Sequence, residues 1–308
     1  MIKKYIITVH TNPNHLKRLI NKLNDKNSEF YIHLDLKSEI NHFKKIVKLP
    51  NVVFIEKRVK CIWGDISQVM ATINLLKRAI HNKKENSIII FLSGQDYPIK
   101  SLSFIDKYIQ ENNKNEFIDM MPFKNSIIYN QRVNQYKINN SEKRMDFVYL
   151  SPILSSGLKN FKLFIKLILK KKIDIIEALR FVKRKRVSIF KKHYKGSNWF
   201  ALQYDTVREV LNYIEVNENK LFKYYKYTAC ADEQFFHTIL NEISSRKKTL
   251  NFSSSLHFVD WNRKNVPLPV TFTVDDINLL LNQPKGKLFA RKFNEDDELL
   301  NLLDLKLN

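Results

Sequence analysis

The sequence predicts an α/β fold in which a mostly parallel central sheet is flanked by helices, the arrangement of nucleotide-binding sheets. Through residue 121, short apolar runs alternate with segments of helical periodicity. The run Ser87–Leu92 (SIIIFL) is apolar nearly throughout, as a strand covered on both faces of a parallel sheet must be. Polar groups at His10, Asp35 and the turn Ser93-Gly94-Gln95-Asp96 each fall just past a predicted strand, where such sheets bind their ligands.

The elements follow in order. Lys4–Val9 reads as the first strand. Asn12-Pro13 then opens a helix with Leu16, Leu19, Ile20 and Leu23 at helical spacing. Phe30–Leu34 and Val52–Ile55 are the next two strands. Ser67 can cap a helix that places Val69, Met70, Ile73, Leu76 and Ile80 on one face. After Ser87–Leu92, Ser101 opens another helix and Phe117–Met121 reads as a strand. In the second half, Gly196–Gln203 leads into a strand and Asp205 caps a helix. Ala231–Leu240 is an amphipathic helix, and Leu256–Trp261 a strand. Thr273–Leu281 is a helix, Leu288–Phe293 a short terminal strand, and the acidic run Glu295 to Glu298 a helix start. No internal repeat and no Pro/Gly/Ser linker interrupts the chain, so one domain over residues 1–308 is expected.

Composition narrows the function classes. The 308 residues are 44% hydrophobic and 12% aromatic, which excludes a disordered or collagen-like chain. Two cysteines, Cys61 and Cys230, exclude a disulfide scaffold and leave no CxxC for a zinc cluster. The N-terminus reads as a strand and not as a signal peptide, and no apolar stretch approaches the ~18 residues of a membrane span. The expectation is a cytoplasmic protein, peripheral at the inner face of the plasma membrane.

Fifty-three Lys plus Arg against 31 Asp plus Glu give a net charge of +22. Residues 159–195 hold fourteen of the basic residues and only two acids, Asp174 and Glu177. Phe161, Phe164, Ile165, Ile168 and Leu169 recur between the lysines at helical spacing. This predicts a basic amphipathic helical insertion, which suits an anionic membrane surface or, read blandly, a solvated helix packed on the body. The charge also permits nucleic-acid binding, but no RNA- or DNA-binding signature accompanies it and none is expected.

The five glycines, Gly64, Gly94, Gly157, Gly196 and Gly286, should mark backbone that tolerates nothing else. Three fall in the clusters WGD, LSGQDYP and KGSNWF. In SGQDYPIKS, Gly94 allows a tight turn and Asp96 presents a carboxylate at a strand end. Asp35 could accept from a uracil or ribose, or simply cap a helix. Asp232 and Glu233 sit where negative charge favours a helix start. Trp199, Trp261 and Tyr97 are flat enough to stack on sugar rings, although burial is the commoner use of such side chains. His237 reads as a packed core histidine. GxGxxG, GxxxxGK[ST], HExxH and GxSxG are absent, as is an Asp-x-Asp after any predicted strand.

Taken in order, HTNPNHLKRLI, YIHLDLKS, WGDISQVMATINLLKRAI, FLSGQDYPIKS, GSNWFALQYDTVREVL, ADEQFFHTIL, HFVDWN and LFARKF resemble the core 2/I-branching β-1,6-N-acetylglucosaminyltransferase family. This family, glycosyltransferase family 14, also includes peptide O-xylosyltransferases. The resemblance implies a GT-A-like nucleotide-sugar-binding fold, a UDP-sugar donor, and metal-independent inversion onto a hydroxyl of a saccharide or lipid-linked saccharide acceptor. Glu233 resembles the family's catalytic base, with Asp232 beside it to hold the acceptor. Lys292 resembles the phosphate-binding lysine, with Arg291 next to it. Branching members carry an arginine upstream; here that stretch reads PLPVTFTVDD, which leaves Arg263 or Lys264 to substitute. His10, Asp35, Gly94 and Asp96 fall at donor contacts, and Asn198, Trp199 and Trp261 at the acceptor side. Asn198 stands where xylosyltransferase-like members often carry aspartate, which weakens a xylosyl assignment; GlcNAc is the sugar expected, with xylose or another hexose as alternatives. No cofactor or metal is implied. A catalytically inactive, membrane-associated scaffold of the same fold, or a basic nucleic-acid-binding protein, is the alternative reading.

Overall fold

The computed structural model describes residues 1–247, 250–294 and 297–307. Its frame is a seven-stranded sheet built from β1 (Ile2–Val9), β2 (Ser28–Leu34), β3 (Val52–Phe54), β4 (Ser87–Ser93), β5 (Asn115–Ile118), β6 (Phe200–Gln203) and β7 (Asn251–Ser253). The spatial order is β7-β5-β6-β4-β1-β2-β3. Strands β4, β1, β2 and β3 run parallel, with Tyr5 opposite Phe30 on one side and Ile90 on the other. β6 is antiparallel to both β4 and β5, and β7 is parallel to β5. The sheet is therefore mostly parallel, as expected.

Alternation of side chains along each strand gives the sheet two buried faces. Tyr5, Ile7, Phe30, Ile32, Ile88 and Ile90 enter one core with the helix Pro13–Leu23. Ile6, Tyr31, Ile89 and Phe91 enter the other, with the helices Ile66–His81 and Tyr204–Tyr225. Every residue of β4 is buried, which is why its sequence does not alternate. Pro13 at the first helical position and the Asp65 side chain accepting from Ser67 N start two of these helices.

A small second sheet contributes Tyr97, Phe289 and Ala290 to the core that Tyr5 and Ile90 enter. Asp96–Pro98 pairs antiparallel with Phe289–Arg291, which pairs parallel with His257–Val259. It places Arg291 directly opposite Asp96.

Several boundaries differ from the sequence expectation. Asp205 lies inside the first turn of Tyr204–Tyr225, with Gln203 at the cap. Ala231–Glu233 is a separate 3-10 turn before the helix Phe235–Lys247. Thr273 caps a 3-10 turn, Val274–Asp276, that runs into Ile277–Leu281. Glu295 and Asp296 of the acidic run lie outside the described residues; a helix spans Asp297–Lys306.

Of the basic stretch 159–195, α-helix covers only the part within Leu158–Leu169. The remainder is irregular, with a 3-10 turn at Ala178–Arg180 and the short strand Tyr194–Lys195. The stretch packs with the hairpin Tyr136–Asn139/Phe147–Leu150 as a lobe with a core of its own, built on Tyr136, Ile138, Leu150, Phe164, Leu167, Phe181 and Tyr227. Phe181 stacks edge-on against both Tyr136 and Tyr227, so long-range aromatic packing and not helical periodicity holds it.

Candidate active site

A cavity of about 680 Å³ opens past the carboxyl ends of β1, β2 and β4. Its wall includes His10, Asp35 and Gly94 from those strand ends, Asn198 and Trp199 from the entry to β6, and Asp232, Glu233, Trp261, Arg291 and Lys292. Ten of the twelve expected site residues thus line one cavity. Asp96 and Arg263 do not.

Two glycines make the floor. A Cβ on Gly94 would lie 2.5 Å from Val9 Cγ2, and one on Gly196 would lie 1.9 Å from the Asp119 carbonyl oxygen. Gly94 packs against the Val9 side chain and Gly196 against the Asp119 backbone, each too closely for a side chain of its own.

Asp96 is fully buried. It accepts from Ser93 N at 2.7 Å, from Ser93 Oγ at 2.8 Å and from Arg291 Nη1 at 3.2 Å. His257 Nε2 lies 3.3 Å away. Burial alone would raise its pKa, but the His257 contact, the Arg291 charge and the Ser93 amide together hold it below the ordinary carboxylate value. Asp96 was expected at the donor; its place is beneath the wall, as the anchor of Arg291. Arg291 also bonds Ser93 Oγ and lies 4.9 Å over the Trp199 ring. Trp199 is 8% exposed and packs on His257 and Phe91 as well. It was expected as a stacking surface for sugar, and instead supports Arg291. Trp261, 55% exposed on the same cavity, is the open aromatic face.

The opposite chemistry holds at the 3-10 turn Ala231–Glu233. Cys230 enters it with φ 49, its amide donating to the Gly64 carbonyl at 2.9 Å. Gln234 Nε2 closes the turn on the Ala229 and Cys230 carbonyls. Glu233 Oε2 accepts from Arg132 Nη1 at 2.7 Å, and its backbone carbonyl accepts from Gly196 N at 3.1 Å. Asp232 Oδ1 is buried with no hydrogen-bond partner. Burial, then the neighbouring Glu233 charge, push the Asp232 pKa up. A carboxylate pair of this kind, one member salt-bridged and the other short of partners, is suited to proton transfer.

Asp35, expected to contact a nucleotide, accepts from Lys37 N at 2.9 Å and Cys61 N at 3.2 Å, which fixes the loop after β2 while leaving its edge on the cavity. His10 sits exposed on the rim. Asn198 follows Ser197, whose Oγ donates to Asp119 Oδ2 at 2.7 Å and whose carbonyl lies 3.0 Å from His237 Nε2. His237 is buried, a core histidine as its sequence context suggests.

Arg263 is engaged elsewhere. It reaches Asp276 Oδ1 at 2.6 Å and Asp260 Oδ2 at 3.2 Å, outside the cavity. The cations that line the cavity besides Arg291 and Lys292 are Arg132, Arg144 and Lys195, all three missed by sequence reasoning. Arg144 lies 4.8 Å over the ring of Trp63, another lining aromatic. Among the described residues, Arg144 and Lys292 have no carboxylate partner. Burial, then the Arg291 and Arg144 charges, lower the Lys292 pKa, as expected for cations gathered at one wall. Trp63 belongs to the WGD cluster and was open to the argument that selected Trp261. Arg132 and Arg144 carry no sequence signal: neither falls in a motif or a periodic segment.

The family model of the Core-2/I-Branching enzyme matches residues 4–281. The chain belongs to the Core-2/I-Branching enzyme family. Among curated relatives, it is 24% identical to the beta-glucuronosyltransferase GlcAT14A of Arabidopsis thaliana over 95% of this chain and 61% of that protein. It is 24% identical to the xylosyltransferase oxt of Drosophila melanogaster over 80% of this chain and 25% of that one. For xylosyltransferase 2 of Rattus norvegicus the identity is 22%, over 98% and 33%. This Core-2/I-Branching member therefore spans between a quarter and three fifths of the length of these relatives.

Proposed function

We propose that this chain is an inverting glycosyltransferase that moves a sugar from a UDP-sugar to a hydroxyl of a saccharide acceptor. The observation that carries the reading is a cavity at the strand ends of a mostly parallel α/β sheet, lined by the carboxylates Asp232 and Glu233 and by the cations Arg144 and Lys292. Relatives named as xylosyl-, glucuronosyl- and N-acetylglucosaminyltransferases support the reaction class.

In this mechanism Glu233 accepts the proton of the acceptor hydroxyl as its oxygen attacks the anomeric carbon. The bond from that carbon to the diphosphate oxygen breaks on the far face, and UDP leaves. Arg132 orients the Glu233 carboxylate through its hydrogen bond. Lys292, with Arg144 and Arg291, neutralises the charge that develops on the diphosphate. Arg144 takes the part that Arg263 was expected to fill, because Arg263 is bound to two aspartates. Asp232 holds the acceptor, and Trp261 offers its open face to a sugar ring. In this reading charge stabilisation falls to these cations. GlcNAc is the sugar proposed, with xylose or another hexose as the alternatives; Asn198 in place of the aspartate common in xylosyltransferase-like members weakens the xylosyl choice.

The test is Glu233→Gln assayed against UDP-GlcNAc, UDP-xylose and UDP-glucuronic acid. Stabilisation of the fold by one UDP-sugar should persist, while turnover falls by ~10² or more. Unchanged turnover removes Glu233 from the role. Activity should survive EDTA, and a strict Mn²⁺ requirement contradicts the metal-free step.

A further inference from the structure

The lobe that closes one side of the cavity carries a surface the transferase chemistry does not use. On the helix Leu158–Leu169, Phe164 and Leu167 face the lobe core. Leu158, Phe161, Ile165 and Leu169 recur at intervals of three and four residues, so they form a separate stripe on one face. That stripe is exposed, with Leu158 at 80% and Leu169 at 77%. At 100° per residue, Lys162 and Lys166 border it on one side. The loop that follows adds Ile175, Ile176 and Leu179, exposed at 75%, 84% and 78%.

The charge around these aliphatics is uncompensated. Residues 159–195 hold fourteen basic side chains against Asp174 and Glu177. Glu177 is already taken by Lys226 at 2.7 Å and by Tyr227. Among the described residues Lys159, Lys162, Lys166, Lys170, Lys171 and Lys172 have no carboxylate partner. Exposed aliphatics in this number mark an interaction surface. Their interleaving with lysines selects its partner. A polyanion such as RNA would use the lysines and leave the aliphatics in water. A bilayer uses both, aliphatics entering the acyl boundary and ammonium groups meeting anionic headgroups.

We propose that this face, centred on Leu158, Phe161, Ile165 and Leu169, docks the protein on an anionic lipid bilayer as a peripheral contact. No helix among the described residues is long and apolar enough to cross a membrane, so the contact is with the surface. The lobe also contributes Arg144 to the cavity, so docking ties the site to the membrane. The proposal stands independently of the reaction catalysed.

The test is flotation of the full chain with vesicles of phosphatidylcholine alone and with vesicles of equimolar phosphatidylcholine and phosphatidylglycerol. Binding should favour the anionic vesicles by about tenfold or more and weaken with salt. The quadruple variant Leu158→Ser, Phe161→Ser, Ile165→Ser and Leu169→Ser should lose about tenfold in binding, with its melting temperature unchanged because the stripe is outside the core. Lys162→Glu with Lys166→Glu should lose binding as well, and serves if the first variant folds poorly. Absence of flotation overturns the proposal. So does full flotation of the serine variant combined with binding to polyuridylate that only the glutamate variant loses, which would make the face a polyanion site. Concentration-dependent dimerisation abolished by the serine variant, without vesicle binding, would make it a self-association face and also overturns the proposal.

Discussion

Two acidic sites, one beneath the cavity wall and one on it, are built on opposite principles. At one, Asp96 is sealed from water and given Ser93, Arg291 and His257, so its charge is met on every side and its pKa is held down. At the other, Glu233 has one arginine and Asp232 has a buried oxygen with nothing to accept from, so its pKa is driven up. The first arrangement maximises order, and the second keeps proton affinity in a useful range at some cost in stability. A carboxylate that holds the wall together and one that works on a substrate can be told apart by whether their hydrogen-bonding capacity is filled.

Breaking the filled corner should have the largest effect. Asp96→Ala removes the partner of a guanidinium and an imidazole and leaves both against a fully buried wall. Unfolding in urea should show a loss of about 3 kcal/mol or more. A loss under 1 kcal/mol would mean that Arg291 and His257 find other partners, and that Asp96 does not anchor this wall. The contrast with Glu233→Gln sharpens the comparison: that variant should change turnover heavily and stability little.

The cations divide in the same manner. Lys292→Ala removes a side chain with no carboxylate partner, so it should weaken UDP binding by about tenfold to a hundredfold in a titration, as loss of a charge-assisted hydrogen bond does. Arg263→Ala removes one locked to Asp260 and Asp276 and should leave UDP affinity within about twofold. Equal effects from the two would return Arg263 to the site and place the clamp elsewhere.

What could be read in the sequence divides along the same line between local and long-range structure. β1, β2 and β4 are local apolar runs, and their ends supplied His10, Asp35 and Gly94 correctly to the cavity. Gly94 and Gly196 stand out because glycine is rare in this chain, and both sit at close approaches, to the Val9 side chain and to the Asp119 carbonyl. The fate of Asp96 was hidden, since its partners His257 and Arg291 arrive from a small sheet more than 150 residues later. The lobe was read as a helical insertion because its lysines and aliphatics share a helical period. Its core is assembled from Tyr136, Phe181 and Tyr227, whose contacts no window of sequence contains. Arg132 and Arg144 were missed because an arginine outside a motif looks like any solvated charge until the fold turns it inward.

The smallest effect is the most specific to the unfilled corner. The Asp232 carboxyl binds its proton more tightly in the fold than in the unfolded chain, where its pKa is ~3.9. As pH rises from that value through the raised one, the native state holds more protons than the unfolded state, so stability falls with pH across the window. Asp232→Asn cannot ionise and escapes this loss. The variant should therefore match the parent at acid pH and gain on it as pH increases, by on the order of 1 kcal/mol near pH 8. Melting curves at pH 5 and pH 8 read the difference. A gap that stays constant with pH would mean that the fold does not raise the Asp232 pKa, and one that turns against the variant as pH rises would mean that Asp232 is satisfied as Asp96 is; either would end the distinction between the two sites.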